Sequence, residues 1–115
     1  MEHYILWFNL KKSYGGKDFV LDLDEYMLTL QDKKLIAEYR IVRRKLGFGP
    51  PELGEFMVDI AFNDMAQLDN AFKTVIQGIH EDNELEKLHR RVNSQVENFR
   101  TSLYRDYPDE HLSAG

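Results

Sequence analysis

With 115 residues and 13.6 kDa, the chain has the length of one domain, long enough to bury roughly two-thirds of its unfolded surface without a metal or disulfide staple. Its 43% hydrophobic and 30% charged residues exclude a disordered or collagen-like chain, and zero cysteines exclude a disulfide framework, a thiol nucleophile and any cysteine-ligated metal centre. Twenty acids against fifteen bases give −5, which argues against broad affinity for nucleic acid or anionic membranes, and no apolar run approaches the ~20 residues of a membrane helix, so a soluble, cytoplasmic protein is expected.

Residues 3–11 (His3-Tyr4-Ile5-Leu6-Trp7-Phe8-Asn9-Leu10-Lys11) are dense in aromatic and β-branched side chains and end at Ser13-Tyr14-Gly15-Gly16. This is a strand, and its nearly continuous apolarity implies that both of its faces are covered. Phe19, Leu23, Tyr26, Met27 and Leu30 then fall at helical spacing, predicting a helix from about 18 to 34 with Asp18 as its cap. A second strand is expected over 37–46, where Tyr39, Ile41 and Arg43 alternate with Arg40, Val42 and Arg44. Gly47 to Gly54 holds two prolines and three glycines, so it is a turn that cannot continue a ladder.

The span 55–63 reads as a third strand with Phe56, Val58, Ile60 and Phe62 on one face. Asn63-Asp64 caps a second helix whose stripe is Met65, Leu68, Phe72, Val75, Ile76 and Ile79. A third helix starts near Asn83 with Leu85, Leu88 and Val92 inward. Residues 96–107 admit two readings. The apolar period continues the third helix through Val96, Phe99 and Leu103, whereas Asn98, Thr101 and Ser102 are poor helix formers and Phe99, Thr101 and Leu103 alternate as a strand. Sheet closure favours the strand, because otherwise the first strand lacks a second neighbour. Residues 1–108 are then one domain, with 109–115 as a flexible tail.

The order β-α-β-β-α-(α)-β is that of the α+β ferredoxin-like fold with a four-stranded antiparallel sheet. A first strand apolar on both faces points further, to two sheets packed face to face. The stretches Arg43 to Phe56, Asp64 to Asp69 and Leu103 to Pro108 resemble a small bacterial family of unknown function within the dimeric α+β barrel superfamily. That resemblance covers nearly the whole chain and implies a homodimer joined through the sheet face. It does not choose a reaction, because superfamily members include cofactor-free oxygenases, haem-degrading enzymes, isomerases and proteins with no assigned activity.

If Tyr4, Leu6, Phe8 and Leu10 face the helices, the period of two sends His3, Ile5, Trp7 and Asn9 to the other sheet face. Tyr39, Ile41 and Arg43, then Met57, Asp59 and Ala61, then Arg100, Ser102 and Tyr104 are expected beside them. A lining of Trp7, Asn9, Tyr39, Arg43, Met57, Asp59, Arg100 and Tyr104 suits a small anionic or aromatic ligand. Arg43 or Arg100 would grip a carboxylate or stabilise an enolate, and His3 or Asp59 would move a proton. The competing reading is that Asp59 pairs with Arg43 or Arg100 and that the aromatics form a dimer interface.

Lys33 to Lys45 holds six bases and one acid, leaving nine bases and nineteen acids elsewhere, which makes either a solvated strip or an anion site. No metal or other cofactor is expected. His3, His80, His89 and His111 are scattered, with Glu86 beside His89 the single same-face carboxylate, and no haem motif is present. Arg44-Lys45-Leu46-Gly47-Phe48-Gly49 is followed by Pro50 and Pro51, where an RNA-recognition sheet needs aromatic strand residues. No serine sits in a nucleophile elbow.

Overall fold

A computed structural model of the chain describes residues 1–12, 14–81 and 83–108; the expected tail at 109–115 lies outside them, as does Ser13 of the first turn. The elements run β1 (Glu2–Leu10), α1 (Gly16–Asp32), β2 (Glu38–Arg43), β3 (Phe56–Phe62), α2 (Met65–Gln77), a 3-10 turn (Gly78–His80), α3 (Glu84–Asn93) and β4 (Val96–Arg105). The four strands form one sheet in the order β2-β3-β1-β4, and every neighbouring pair is antiparallel. Residues 96–105 are thus a strand. Phe8 pairs with Phe99 and Tyr4 with Leu103, with a register shift where Asn9 and Leu10 meet the start of β4.

Helix starts follow cap chemistry. Asp64 accepts from the Gln67 amide at 2.8 Å, and Asn83 accepts from the Glu86 amide at 2.8 Å. Helix α1 begins two residues before the expected Asp18, after Gly15, which offers no side-chain cap; Asp18 lies in the first turn, where its charge faces the positive helix end. The same helix ends at Asp32 rather than 34. The Leu35 amide bonds the Leu30 carbonyl and the Lys34 amide the Gln31 carbonyl, each at 2.9 Å, and Lys34 takes a φ of 60°. These are the two bonds of a Schellman stop, with Leu30 and Leu35 on either side of it both buried in the core.

Helices cover one sheet face. The core gathers Phe8, Phe56 and Val58 from the sheet with Phe19, Leu23 and Met27 from α1, all buried. Phe19 stands edge-on to Phe8 at 5.2 Å, while Phe8 stacks on Phe56 at 6.0 Å. Asp22 on α1 accepts from Gln95 at 2.8 Å and lies 3.7 Å from Arg91, which ties α1 to the end of α3. The α2 stripe is less enclosed than its periodicity suggests: Phe72 meets Tyr4 edge-on at 5.1 Å, but Phe72, Ile76 and Ile79 remain exposed.

One face assignment is reversed. Tyr39 pairs with Ile60, Ile41 with Val58 and Arg43 with Phe56, so these three face the helices rather than the open side. Glu38, Arg40 and Val42 hold the open face of β2 instead. The apolar pair Tyr39 and Ile41 extends the core, and the Tyr39 hydroxyl donates to Asp24 of α1. Burying that pair against α1 removes more apolar surface from water than burying Val42 alone would.

Candidate functional site

The open face does bring together His3, Trp7, Asn9, Met57, Asp59, Arg100 and Tyr104. Trp7 stands between Met57 and Arg100, and His3 between Ala61 and Tyr104, as the antiparallel registers require. Two side chains of the expected lining are elsewhere. Tyr39 is committed to Asp24. Arg43 donates to Glu55 at 2.8 Å and lies over the Phe56 ring at 5.5 Å, outside the His3–Asp59 neighbourhood.

Asp59 pairs with neither Arg43 nor Arg100. Its carboxylate meets His3 Nδ1 at 3.0 Å, while His3 Nε2 meets Asp106 at 2.6 Å and Asp106 also accepts from the N-terminal ammonium at 3.1 Å. Burial alone would lower the His3 pKa; the hydrogen bonds of Asp106 and Asp59, with their charges, outweigh it and raise the value. The His3 bond and then the ammonium bond hold the Asp106 carboxyl below its ordinary value. A histidine held at both nitrogens is a structural clasp. Asn9 is likewise engaged: its Oδ1 accepts from the Glu55 amide at 2.9 Å and its amide donates to Asn98 at 3.2 Å.

The apolar cavity lies on the other side of the sheet. Between the sheet and the helices is a space of about 390 Å³, walled by Leu6, Phe8, Leu23, Met27, Val58 and Ile60 and opening past Phe72, Ile76 and Phe99. Tyr26, His89 and Asn93 bring polar atoms to this lining. Tyr26 belongs to the buried face of α1, and its ring centroid is 5.7 Å from that of His89. Burial and then the Glu86 charge push the Tyr26 hydroxyl well above the ordinary tyrosine range, so it remains a donor. His89 also borders a second, polar groove of about 500 Å³ that includes Lys33, Gln77, Glu81, Glu84 and Glu86.

The sequence sets Glu86 beside His89 on one helix face, a spacing that by itself points to a metal ligand pair. Among the described residues no group of three or more His, Asp or Glu side chains is placed to hold a metal ion. The available signal was position. His89 adjoins Leu88 and precedes Val92 by three residues, which sets it at the margin of the inward stripe of α3.

Among solved structures, the chain is similar to At3g17210 from Arabidopsis thaliana, at 5% identity over 96% of this chain and 99% of that one, with a TM-score of 0.71. A crystal structure of SnoaB, a cofactor-independent oxygenase from Streptomyces nogalater, aligns at 6% identity over 95% of each chain, with a TM-score of 0.66. A dimeric protein of unknown function and ferredoxin-like fold from Bacteroides fragilis aligns at 14% identity over 91% and 95%, with a TM-score of 0.57. At such identities the likeness is one of fold. No curated protein matches. The sequence matches the DUF6614 family across residues 1–115, and the chain therefore belongs to this family of unknown function with a ferredoxin-like α+β fold.

Proposed function

We propose that the chain is a small-molecule-binding module that works as a homodimer, with the open sheet faces of two copies packed together and the ligand held between the sheet and helices of each. The observation that carries this reading is the cavity of about 390 Å³ with its apolar walls, a size and lining suited to a small organic ligand. The half-buried Trp7, Ile5 and Met57 on the open face support the dimer, as does the dimeric Bacteroides fragilis neighbour. Arg100 and Tyr104 then border the contact between copies, with Asp59 and His3 as its fixed polar centre. A cytoplasmic location, expected from the sequence, belongs to this reading.

A second reading is an enzyme of the cofactor-free oxygenase or isomerase type acting on a small aromatic or oxygenated acid. The cofactor-independent oxygenase of similar fold and the histidine at the cavity favour it.

Melting the protein with and without 4-nitroanisole, an uncharged apolar probe, tests the cavity. The expected result is a saturable rise in Tm for wild type and little or none for Ala71→Leu, which fills the cavity from α2. A wild-type Tm that stays flat up to the solubility limit of the probe overturns the binding reading.

A further inference from the structure

The polar atoms of the apolar cavity converge from two helices. Glu86, 7% exposed, accepts a bond from Arg90 at 3.2 Å, and its other carboxylate oxygen lies 3.5 Å from His89 Nδ1. A carboxylate beside Nδ1 favours the tautomer that carries its proton there, which makes Nε2 the lone-pair nitrogen. Among the described residues, the hydrogen-bond contact at Nε2 is with the Asn93 side-chain amide, at a long 3.4 Å. Glu86 belongs to the polar groove and Asn93 to the apolar cavity, so the two edges of the imidazole face different surroundings. Across from it is Tyr26, 8% exposed, whose hydroxyl makes no hydrogen bond among the described residues. Among the described residues no side-chain polar atom is sealed from open space without a partner, so that hydroxyl is not closed off, and Tyr26 is part of the cavity lining.

A mostly apolar chamber whose few polar groups include an imidazole acceptor and a tyrosine donor suits an apolar molecule carrying a weakly acidic hydroxyl. We propose that His89 Nε2 and the Tyr26 hydroxyl together bind the oxygen of an enol or phenol in this cavity, with His89 taking its proton and Glu86 positioning His89. The proposal rests on the binding reading above and names its ligand class. In the step, the ligand O–H bond breaks and an N–H bond forms at Nε2. The electron pair stays on the ligand oxygen, where Tyr26 donates to it, and the imidazolium is paired with the Glu86 carboxylate. The other charged groups bordering His89 are Arg90, which holds Glu86, and Lys33, Glu81 and Glu84 in the polar groove. An enolate formed in this way is the species from which a carbonyl compound is re-protonated at a different atom, which is isomerisation without a co-reactant.

The test compares 4-nitrophenol with 4-nitroanisole, which has nearly the same shape but no O–H. Wild type should prefer the phenol by about tenfold, the worth of one good hydrogen bond. Absorbance should also show the bound phenol ionising at a pH below that of the free compound. In His89→Gln, which keeps a polar side chain of similar reach, the preference should fall to near unity, and bound nitrophenol should ionise above its free value, as an apolar cavity dictates. Glu86→Gln should give an intermediate ionisation, and Tyr26→Phe should weaken binding of the phenolate more than of the neutral phenol. Equal affinity of wild type for the two probes, or an ionisation unchanged in His89→Gln, overturns the assignment while leaving the apolar cavity standing. Failure of 4-nitroanisole to bind would instead strike the broader reading.

Discussion

At Gly54 a side chain has nowhere to go: a Cβ there would lie 2.3 Å from the Phe8 carbonyl oxygen and 2.6 Å from the Phe8 nitrogen. Both atoms belong to the backbone of a central strand, so relief requires moving the loop before β3 off the end of β1. Gly54→Ala should cost about 3 kcal/mol, measured by urea denaturation, and should loosen the Asn9–Glu55 bond beside it. A cost below about 0.5 kcal/mol would mean that the loop shifts freely. His3 makes a prediction of opposite kind. Its pKa is raised above 6.5 in the fold, so the stability it contributes is complete below pH 6.5 and is lost as pH rises through the folded value. Asp106 is lowered from 3.8, so its contribution is complete above pH 3.8 and is lost as pH falls through the folded value. The clasp is therefore at full strength between those two limits. Proton NMR should find the His3 midpoint above 6.5, and Asp59→Asn should bring it down; a midpoint unmoved by that change would remove Asp59 from the clasp.

The second strand explains both how far the sequence can be read and where reading stops. Strands β3 and β4 have their more apolar sets on the side facing the helices, so alternation makes their faces legible, whereas β1, apolar on both faces, takes its facing from pairing with them. In β2 the residues Glu38–Arg43 put an apolar residue and an arginine into each alternate set, so the period of two fixes a strand without saying which way it faces. Only the register against Val58 and Ile60 decides, together with a partner on α1 that is distant in sequence. Tyr39→Phe should lower stability by about 1 kcal/mol through loss of the bond to Asp24. It should also flatten part of the alkaline limb. Burial and then the Asp24 bond push the Tyr39 pKa from 10.0 to about 12, so wild type loses stability as pH rises from 10 towards 12, a slope that denaturation of the Phe variant should lack in part. The cavity between layers was not legible, because Leu6, Leu23 and Val58 read one by one as ordinary core. Their separation depends on how α2 and α3 stand off the sheet, which is set by caps and loop lengths rather than by periodicity.

As a whole the described chain is a slab, 19 Å in its thinnest direction against 50 and 40 Å in the others. Helices cover one side of the sheet and leave Trp7, Ile5 and Met57 half-buried on the other. Light scattering should give a mass near twice 13.6 kDa, and Trp7→Asp should reduce it to that of one chain while leaving far-ultraviolet circular dichroism unchanged. A wild-type mass of one chain at micromolar concentration would refute the dimer.

The central position of β1 has a consequence for how the protein is made. Of the four strands it is synthesised first, yet its two partners are β3 and β4, the last of the four. Until Val96 to Arg105 has emerged, one edge of this largely apolar strand stays bare, and the pairing that covers it spans most of this sequence. Such non-local closure is slow, and an uncovered apolar edge is a template for aggregation. Chains stalled or clipped before residue 96 should therefore form insoluble aggregates rather than a smaller stable fold, making the C-terminal strand the step at which a nascent chain becomes safe from its neighbours.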